Sequence, residues 1–396
     1  MTRKAEPSGG GDLPRGWRWI ALGEVCEINP RRPGEFVRGD EEETSFVPME
    51  AVDARRGKVD RLRSRSYAEV KKGYTYFADG DVLFAKITPC MQNGKHFVAE
   101  GLIGGVGFAS TEFHVLRHGD AIHAKWVHFY LTQPAILRKA TYYFTGSAGQ
   151  RRVPGSFLKG LKIPLPPIVE QAKILGILEN EMGAVEKARR AALDRVEAAR
   201  ALDSAFLREA LEFGDGELPP GWEWCTLGDL CEVKRGKSIT RKEVTPGDIP
   251  VIAGGQQPAY YHNQANRTGE IITVSGSGAY AGFVNFFDRP IFASDCSTLQ
   301  VKDGNVRMMY LYMAMKWRQQ DIYDLRLGSA QPHVYPKDVS KIEIPLPPLS
   351  KQRQIIATLN AKMAAAKQAR AAAEAELEAI EALPAALLRR AFRATP

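Results

Sequence analysis

The chain has 396 residues, 44% hydrophobic and 25% charged, with a formal net charge of +8. At roughly 100–200 residues per domain that length predicts two domains, and the composition excludes wholesale disorder. The basic balance suits a polyanionic partner without identifying one. No run approaches the ~20 consecutive apolar residues of a bilayer span, and residues 1–11 are polar, without the apolar core of a signal peptide; the expected setting is the cytoplasm, with no membrane contact.

In chain order, residues 1–11 read as a flexible N-terminus and 12–167 as a first globular domain. It opens on Leu13-Pro14-Arg15-Gly16-Trp17-Arg18-Trp19 and the segment Leu22 to Glu27. Short runs such as Asp81 to Phe84 read as strands between glycine turns, and Lys125 to Arg138 reads as a helix, so the domain is α+β. It closes on Ile163-Pro164-Leu165-Pro166-Pro167, a proline stop that delivers the chain extended to a helix start. From 168 to 213, Ile174, Leu178, Met182, Val185, Ala192 and Val196 recur at spacings of three, four or seven, the stripe of a long helix with one apolar face.

The same order then repeats. Residues 214–348 form a second domain opening on Leu218-Pro219-Pro220-Gly221-Trp222-Glu223-Trp224, at an offset of 205, with Leu227 to Glu232 after it. Ile271 to Val274 reads as a strand and Arg307 to Gln319 as a helix. Ile344-Pro345-Leu346-Pro347-Pro348 follows at an offset of 181, with Gln352 matching Gln171, so the first insert is 24 residues longer. Inside the domains only echoes survive, such as Ala109-Ser110-Thr111 against Ala293-Ser294-Asp295. Residues 349–393 form the second long helix, where Ile355, Leu359, Met363, Ala366, Ala373 and Leu377 occupy the first helix's stripe 181 positions on. A helix of some 45 residues extends about 65 Å at ~1.5 Å per residue, past the edge of one small domain, so each needs a partner. The economical arrangement pairs the two helices antiparallel as a coiled-coil spacer between the globular domains, a pseudo-twofold internal repeat. Pro384 is expected to kink or interrupt the second helix.

This doubled order, GWxWxxLG[ED]xCE, a variable domain, then IPLPPxxxQ and a long helix, resembles the specificity subunit of type I restriction-modification systems over essentially the whole chain after its first ten residues. The resemblance implies a non-catalytic DNA-recognition subunit whose two variable domains are target recognition domains and whose helices act as a ruler. It implies double-stranded DNA, two methyltransferase subunits and, in the full complex, restriction subunits as partners. It implies no cofactor of its own, the methyl donor and ATP being bound by partner subunits. Readers at a fixed separation engage half-sites about one helical turn apart, and diverged interiors allow an asymmetric bipartite target. The alternative from another class is a coiled-coil scaffold whose domains bind proteins.

Enzyme motifs fail on their spacing. Asn29-Pro30-Arg31 lacks the third residue of a base-binding motif, Gly276 to Gly282 misses the dinucleotide-loop pattern, and Cys231 stands where a P-loop preceding Gly236-Lys237-Ser238 needs glycine. Asp60 with Glu69-Val70-Lys71 has nuclease-like spacing but no apolar strand around it, and reads as a solvated charge run. The cysteines, Cys26, Cys90, Cys225, Cys231 and Cys296, form no CxxC pair and have no histidine at zinc spacing, so reduced, mostly buried thiols and no metal are expected.

Phosphate contacts need Lys or Arg, and base readout needs side chains able to reach a groove edge. The candidates in the first domain are Arg31, Arg32, Lys86, Gln92, Asn93, Lys95, Gln150, Arg151 and Arg152. In the second they are Lys234, Arg235, Lys237, Ser238, Gln256, Gln257, Ser275, Ser277, Tyr280, Gln331 and His333. Ordinary turns with solvated side chains account for the same positions. Trp17, Trp19, Trp222 and Trp224, in a repeated border, read as core rather than as base-stacking groups.

Overall fold

The computed structural model describes residues 13–147, 150–213, 217–327 and 332–392. The chain forms two compact units, Met1–Ala191 with Leu377–Pro396 and Ala192–Glu376, each holding one globular domain and part of both long helices.

The two border motifs of each domain are the two strands of one ribbon. Arg18–Ala21 pairs antiparallel with Lys162–Leu165, Arg18 opposite Leu165; Glu223–Thr226 pairs with Glu343–Leu346, Glu223 opposite Leu346. The motifs recur together because each needs the other, and a two-stranded ribbon, being all edge, tolerates Pro164 and Pro345 within it. Beyond the ribbon both domains hold a four-stranded sheet of matching order: Cys26–Ile28, Phe113–His118, Val82–Ala85, His96–Val98 in the first, and Cys231–Arg235, Cys296–Val301, Ile271–Ser275, Val284–Phe287 in the second. A second sheet in each contains a parallel pair, Val106–Ala109 with Glu43–Val47 and Ile249–Ile252 with Phe292–Ala293. The flanking strand Arg63–Ser66 on Glu43–Val47 has its counterpart in Tyr260–His262 on Ile249–Ile252; the first domain adds a fourth strand, Thr75–Ala78, beside Val106–Ala109, and a small ribbon of Val52–Asp53 with Lys58–Val59.

A short helix packs under each sheet, and its largest buried aromatic holds the proline border. Trp126, fully buried, donates from Nε1 to the Pro164 carbonyl at 3.0 Å. Tyr310, also fully buried, donates its hydroxyl to the Pro345 carbonyl. The expected helix Lys125 to Arg138 is two helices, Ala124–Leu131 and Pro134–Thr141, because Pro134 cannot continue a turn but fits the first position of a new one. The expected helix Arg307 to Gln319 is Met308–Trp317, with Arg307 as its N-cap.

The long helices run Ile168–Leu211 and Leu349–Phe392, 44 residues each. Both start on the same clip. The fully buried Gln171 accepts from the His123 amide at 3.0 Å and donates to the carbonyls of Ala121 (3.0 Å) and Pro166 (2.9 Å). The fully buried Gln352 accepts from the Arg307 amide at 2.8 Å and donates to Asn305 and Pro347, both at 2.9 Å. Trp17 reinforces the first start, donating from Nε1 to Glu170 at 3.0 Å and packing edge-on to Trp126.

Pro384 does not interrupt the second helix, which continues through it to Phe392. The missing amide bond is offset by packing: Leu388 and Phe392 are buried in the first domain's core, Phe392 lying 4.5 Å from Trp126 between ring centroids.

Within each unit the helices pack antiparallel. In the first, Ile174, Leu178 and Met182 meet Leu387, Leu388, Ala391 and Phe392. In the second, Ile355, Leu359 and Met363 meet Phe206, Leu207, Ala210 and Leu211. Val196 is buried, and Val185 and Leu377 are half-buried. Ion pairs flank the seam: Arg189–Glu381 at 3.0 Å and Glu181–Arg390 in the first unit, Lys362–Glu209 and Arg195–Glu376 at 2.7 Å and Arg200–Glu374 at 2.9 Å in the second. Arg195 and Glu376 are 181 positions apart, hence the same position of the repeat.

Gln171→Leu is expected to destabilise the chain by on the order of 2 kcal/mol, since it strands the buried Pro166 carbonyl and takes a partner from the part-buried His123 amide and Ala121 carbonyl; chemical denaturation measures this, and a change under 1 kcal/mol would remove the clip from the account. Arg195→Glu, which sets a second negative charge against Glu376, should cost about 1 kcal/mol, and adding Glu376→Arg should restore the wild-type melting temperature.

Candidate nucleic-acid interface

In the first domain three loops meet at a junction tied by backbone. The Lys86 amide donates to the Glu112 carbonyl at 2.9 Å, the Val153 amide to Lys86 at 2.9 Å and the Thr88 amide to Arg151 at 3.0 Å, while Thr145 and Arg152 exchange amide-to-carbonyl bonds of 2.9 Å. The second domain builds the same junction. Gly276 donates to Asp295 at 2.9 Å, Val334 to Gly276 and Gly278 to Pro332 at 3.0 Å, and Leu327 and His333 exchange bonds of 3.0 Å. Every group of the first set has a counterpart in the second at the equivalent loop, but the side chains differ: Lys86 against Gly276, Arg151 against Pro332, Arg152 against His333. The backbone repeats and the side chains diverge.

Many of the candidate residues converge here. Lys86 and Arg152 are half-buried at the junction, and Gln150 and Arg151 are exposed beside it. Gln92 and Asn93 are exposed on the loop that leaves through Lys86, whereas Lys95 on its return donates from Nζ to the Met49 carbonyl at 2.9 Å. Arg31 is exposed; Arg32 is engaged elsewhere, donating to the Tyr67 hydroxyl at 2.6 Å with its guanidinium 6.0 Å from the Phe36 and Tyr67 rings.

In the second domain Ser277 and His333 bridge at the junction, with Tyr280 half-exposed on the same loop. The Gly236 and Lys237 amides donate to the Cys296 and Ala293 carbonyls at 2.8 and 2.9 Å, which ties this loop to the turn that carries Asp295; Lys237 and Ser238 are exposed. Gln256 and Gln257 are exposed on a loop that approaches through Gly254, where a Cβ would lie 2.5 Å from the Ser277 carbonyl. Ser275 is buried and donates to the Gly255 carbonyl at 3.4 Å, a brace for that loop. Lys234 pairs with Glu232 at 2.6 Å on its strand, where Arg235 is exposed. Gln331 lies outside the described residues.

The sequence reading passed over the acids. Glu112 grips Arg152 through both oxygens, 2.9 and 3.2 Å to Nε and 2.8 Å to Nη2, and that guanidinium holds the carboxyl below its usual range. Asp295 accepts from the Ser277 hydroxyl. The echo at Ala109 and Ala293 marked the place; Arg152 and Ser277 were nominated as DNA contacts, and nothing in the sequence tied them to these acids. His114 was also missed. It is buried, contacts the Val153 carbonyl from Nε2 at 2.8 Å and Asn29 from Nδ1 at 3.1 Å, and burial lowers its pKa. Asn29, at φ 57°, holds the left-handed bend before it.

The nuclease-like acids do not converge. Asp60 pairs with Arg56, while Glu69 caps its own helix by accepting from the Ser66 amide at 3.1 Å. Among the described residues no group of three or more His, Cys, Asp and Glu could hold a metal, and no helix is long and apolar enough to cross a membrane. The border tryptophans divide: Trp17 and Trp19 are half-buried, while Trp224 is 41% exposed.

Two α+β domains with one repeated junction, each leading into a paired long helix, define an internally duplicated protein. The family model for the type I restriction modification DNA specificity domain matches residues 14–195 and 219–378, and the chain belongs to that family. The specificity subunit of the Escherichia coli type I restriction enzyme EcoEI is 38% identical over 213 residues, 53% of this chain and 35% of its own length. That of EcoAI, from the same organism, is 41% identical over 165 residues, 41% of this chain and 28% of its own. The matched stretches therefore span about a third of these relatives. A chain solved in work on complex assembly and conformational transition of the type I R-M system shares the fold with TM-score 0.84 at 23% identity, over 97% of this chain and 99% of that one.

Beneath the first junction, His96 is fully buried, stacked 4.1 Å from Phe84, and accepts the Ala85 amide at Nδ1. Its Nε2 and the Nδ1 of buried His128 find no partner among the described residues. Burial lowers His96 from 6.5 to about 3 and His128 to about 4. The unfolded chain takes up these protons near pH 6.5 and the folded chain does not, so stability present above pH 6.5 is lost as pH falls from 6.5 towards 4. Melting temperature across that window should fall, and less steeply in His128→Leu; a flat profile would contradict the buried neutral pair.

Proposed function

We propose that this chain is the non-catalytic DNA-recognition subunit of a type I restriction-modification complex, reading a bipartite, asymmetric duplex sequence with one half-site per domain. The observation that carries this reading is the junction built twice in backbone and differently in side chains. Exposed Gln92, Asn93, Gln150 and Arg151 would face one half-site; Lys237, Ser238, Gln256, Gln257, Tyr280 and His333 the other. The helices act as the ruler and dock two methyltransferase subunits, restriction subunits joining in the full complex. Methyl donor and ATP belong to those partners, this chain holding no cofactor, and the complex works in the cytoplasm.

Co-expression of the full chain with a type I methyltransferase subunit, followed by modification-sensitive long-read sequencing of the host DNA, should show methylation at one split motif. The same complex in gel-shift titration should lose affinity steeply between 50 and 200 mM salt, by about 10³-fold or more if some six phosphates are contacted. Absence of any split motif together with salt-independent binding would leave a protein-binding scaffold as the better description.

A further inference from the structure

Each junction carries a carboxylate where phosphates are to approach. Negative charge there opposes DNA unless it does something else at the site. Glu112 and Asp295 stand at the same point of the frame, each immediately before the equivalent strand, Phe113–His118 or Cys296–Val301. Each is spent on a neighbouring loop, and on a different loop in each domain. Glu112 holds the Nε and Nη2 edge of Arg152, whose Nη1 donates to the Gln150 carbonyl at 3.0 Å, so it fixes the loop bearing Gln150 and Arg151. Asp295 holds Ser277, on the loop bearing Tyr280. That grip is close-built: a Cβ at Gly276 would lie 2.7 Å from Asp295 Oδ1, and one at Gly254 3.3 Å from Oδ2.

Resting on the function proposed above, we propose that Glu112 and Asp295 are positioning residues that set the selectivity of one half-site each, by clamping the reading loops of their own domain. Arg152 is then a strut. Its bidentate edge, the geometry that recognises guanine, is already taken by Glu112.

The test uses the full chain with its methyltransferase partner and reads the host methylome, with melting temperature alongside. Glu112→Gln should raise methylation of sites mismatched in one half by roughly tenfold, the scale of discrimination carried by a well-held base contact, and leave the other half as strict as before. Arg152→Lys, which keeps the charge but not the fork, should relax the same half. Asp295→Asn and Ser277→Ala should relax only the opposite half. Melting temperatures within a few degrees of wild type accompany these outcomes, since the pairs are partly exposed. Unchanged selectivity in folded variants, or equal relaxation of both halves by any one of them, overturns the inference. A wild-type complex that methylates no split motif instead overturns the functional reading beneath it.

Discussion

Two glutamines decide where each domain ends and each long helix begins. Gln171 and Gln352 are fully buried, and each ties a helix's first turn to the loop that opens the short helix under the sheet and to a carbonyl of its own proline border. Without the clip, the extended proline segment could enter the helix at many angles, and the apolar stripe would leave the seam. The buried aromatics Trp126 and Tyr310 brace the same segment one step upstream. The clip and the junction lie at opposite ends of one strand in each domain: Glu112 precedes Phe113–His118 and Ala121 and His123 follow it, as Asp295 precedes Cys296–Val301 and Asn305 and Arg307 follow.

How much of this was legible follows from where contacts lie along the chain. The border motifs were readable because the two strands of each ribbon constrain one another and so recur together. The helices were readable because a one-sided seam forces spacings of three, four and seven over 44 residues. Pro134 and Pro384 show the limit of local rules. The first starts a helix where a continuous one was expected, and the second lies inside a helix expected to kink or break, because Leu388 and Phe392 gain more by burial than the missing amide bond costs.

The candidate interface was partly legible for a similar reason. Lys86, Arg151, Arg152, Ser277 and His333 could be nominated from side-chain chemistry, and the fold brings them to one kind of junction. Glu112 and Asp295 could not, because an acid has no evident place in a search for phosphate partners, and its meaning appears only with a guanidinium forty positions away or a hydroxyl eighteen positions away. Arg32 shows the converse: the sequence offered a cation, and only the fold shows that one of its guanidinium nitrogens donates to the Tyr67 hydroxyl.

The ion pairs along the helix seam carry a history. A fresh tandem duplication is indifferent, since each copy of a helix suits itself as well as its sibling. That indifference is gone here. Arg195 faces Glu376, its own counterpart in the repeat, so a helix meeting an identical copy in the same register would set arginine on arginine or glutamate on glutamate. Glu181–Arg390 and Glu209–Lys362 are likewise images of one another under the repeat, and like-for-like pairing would oppose acid to acid and base to base. The two halves of this chain have become different sexes of one helix, each fitted to the other and estranged from itself.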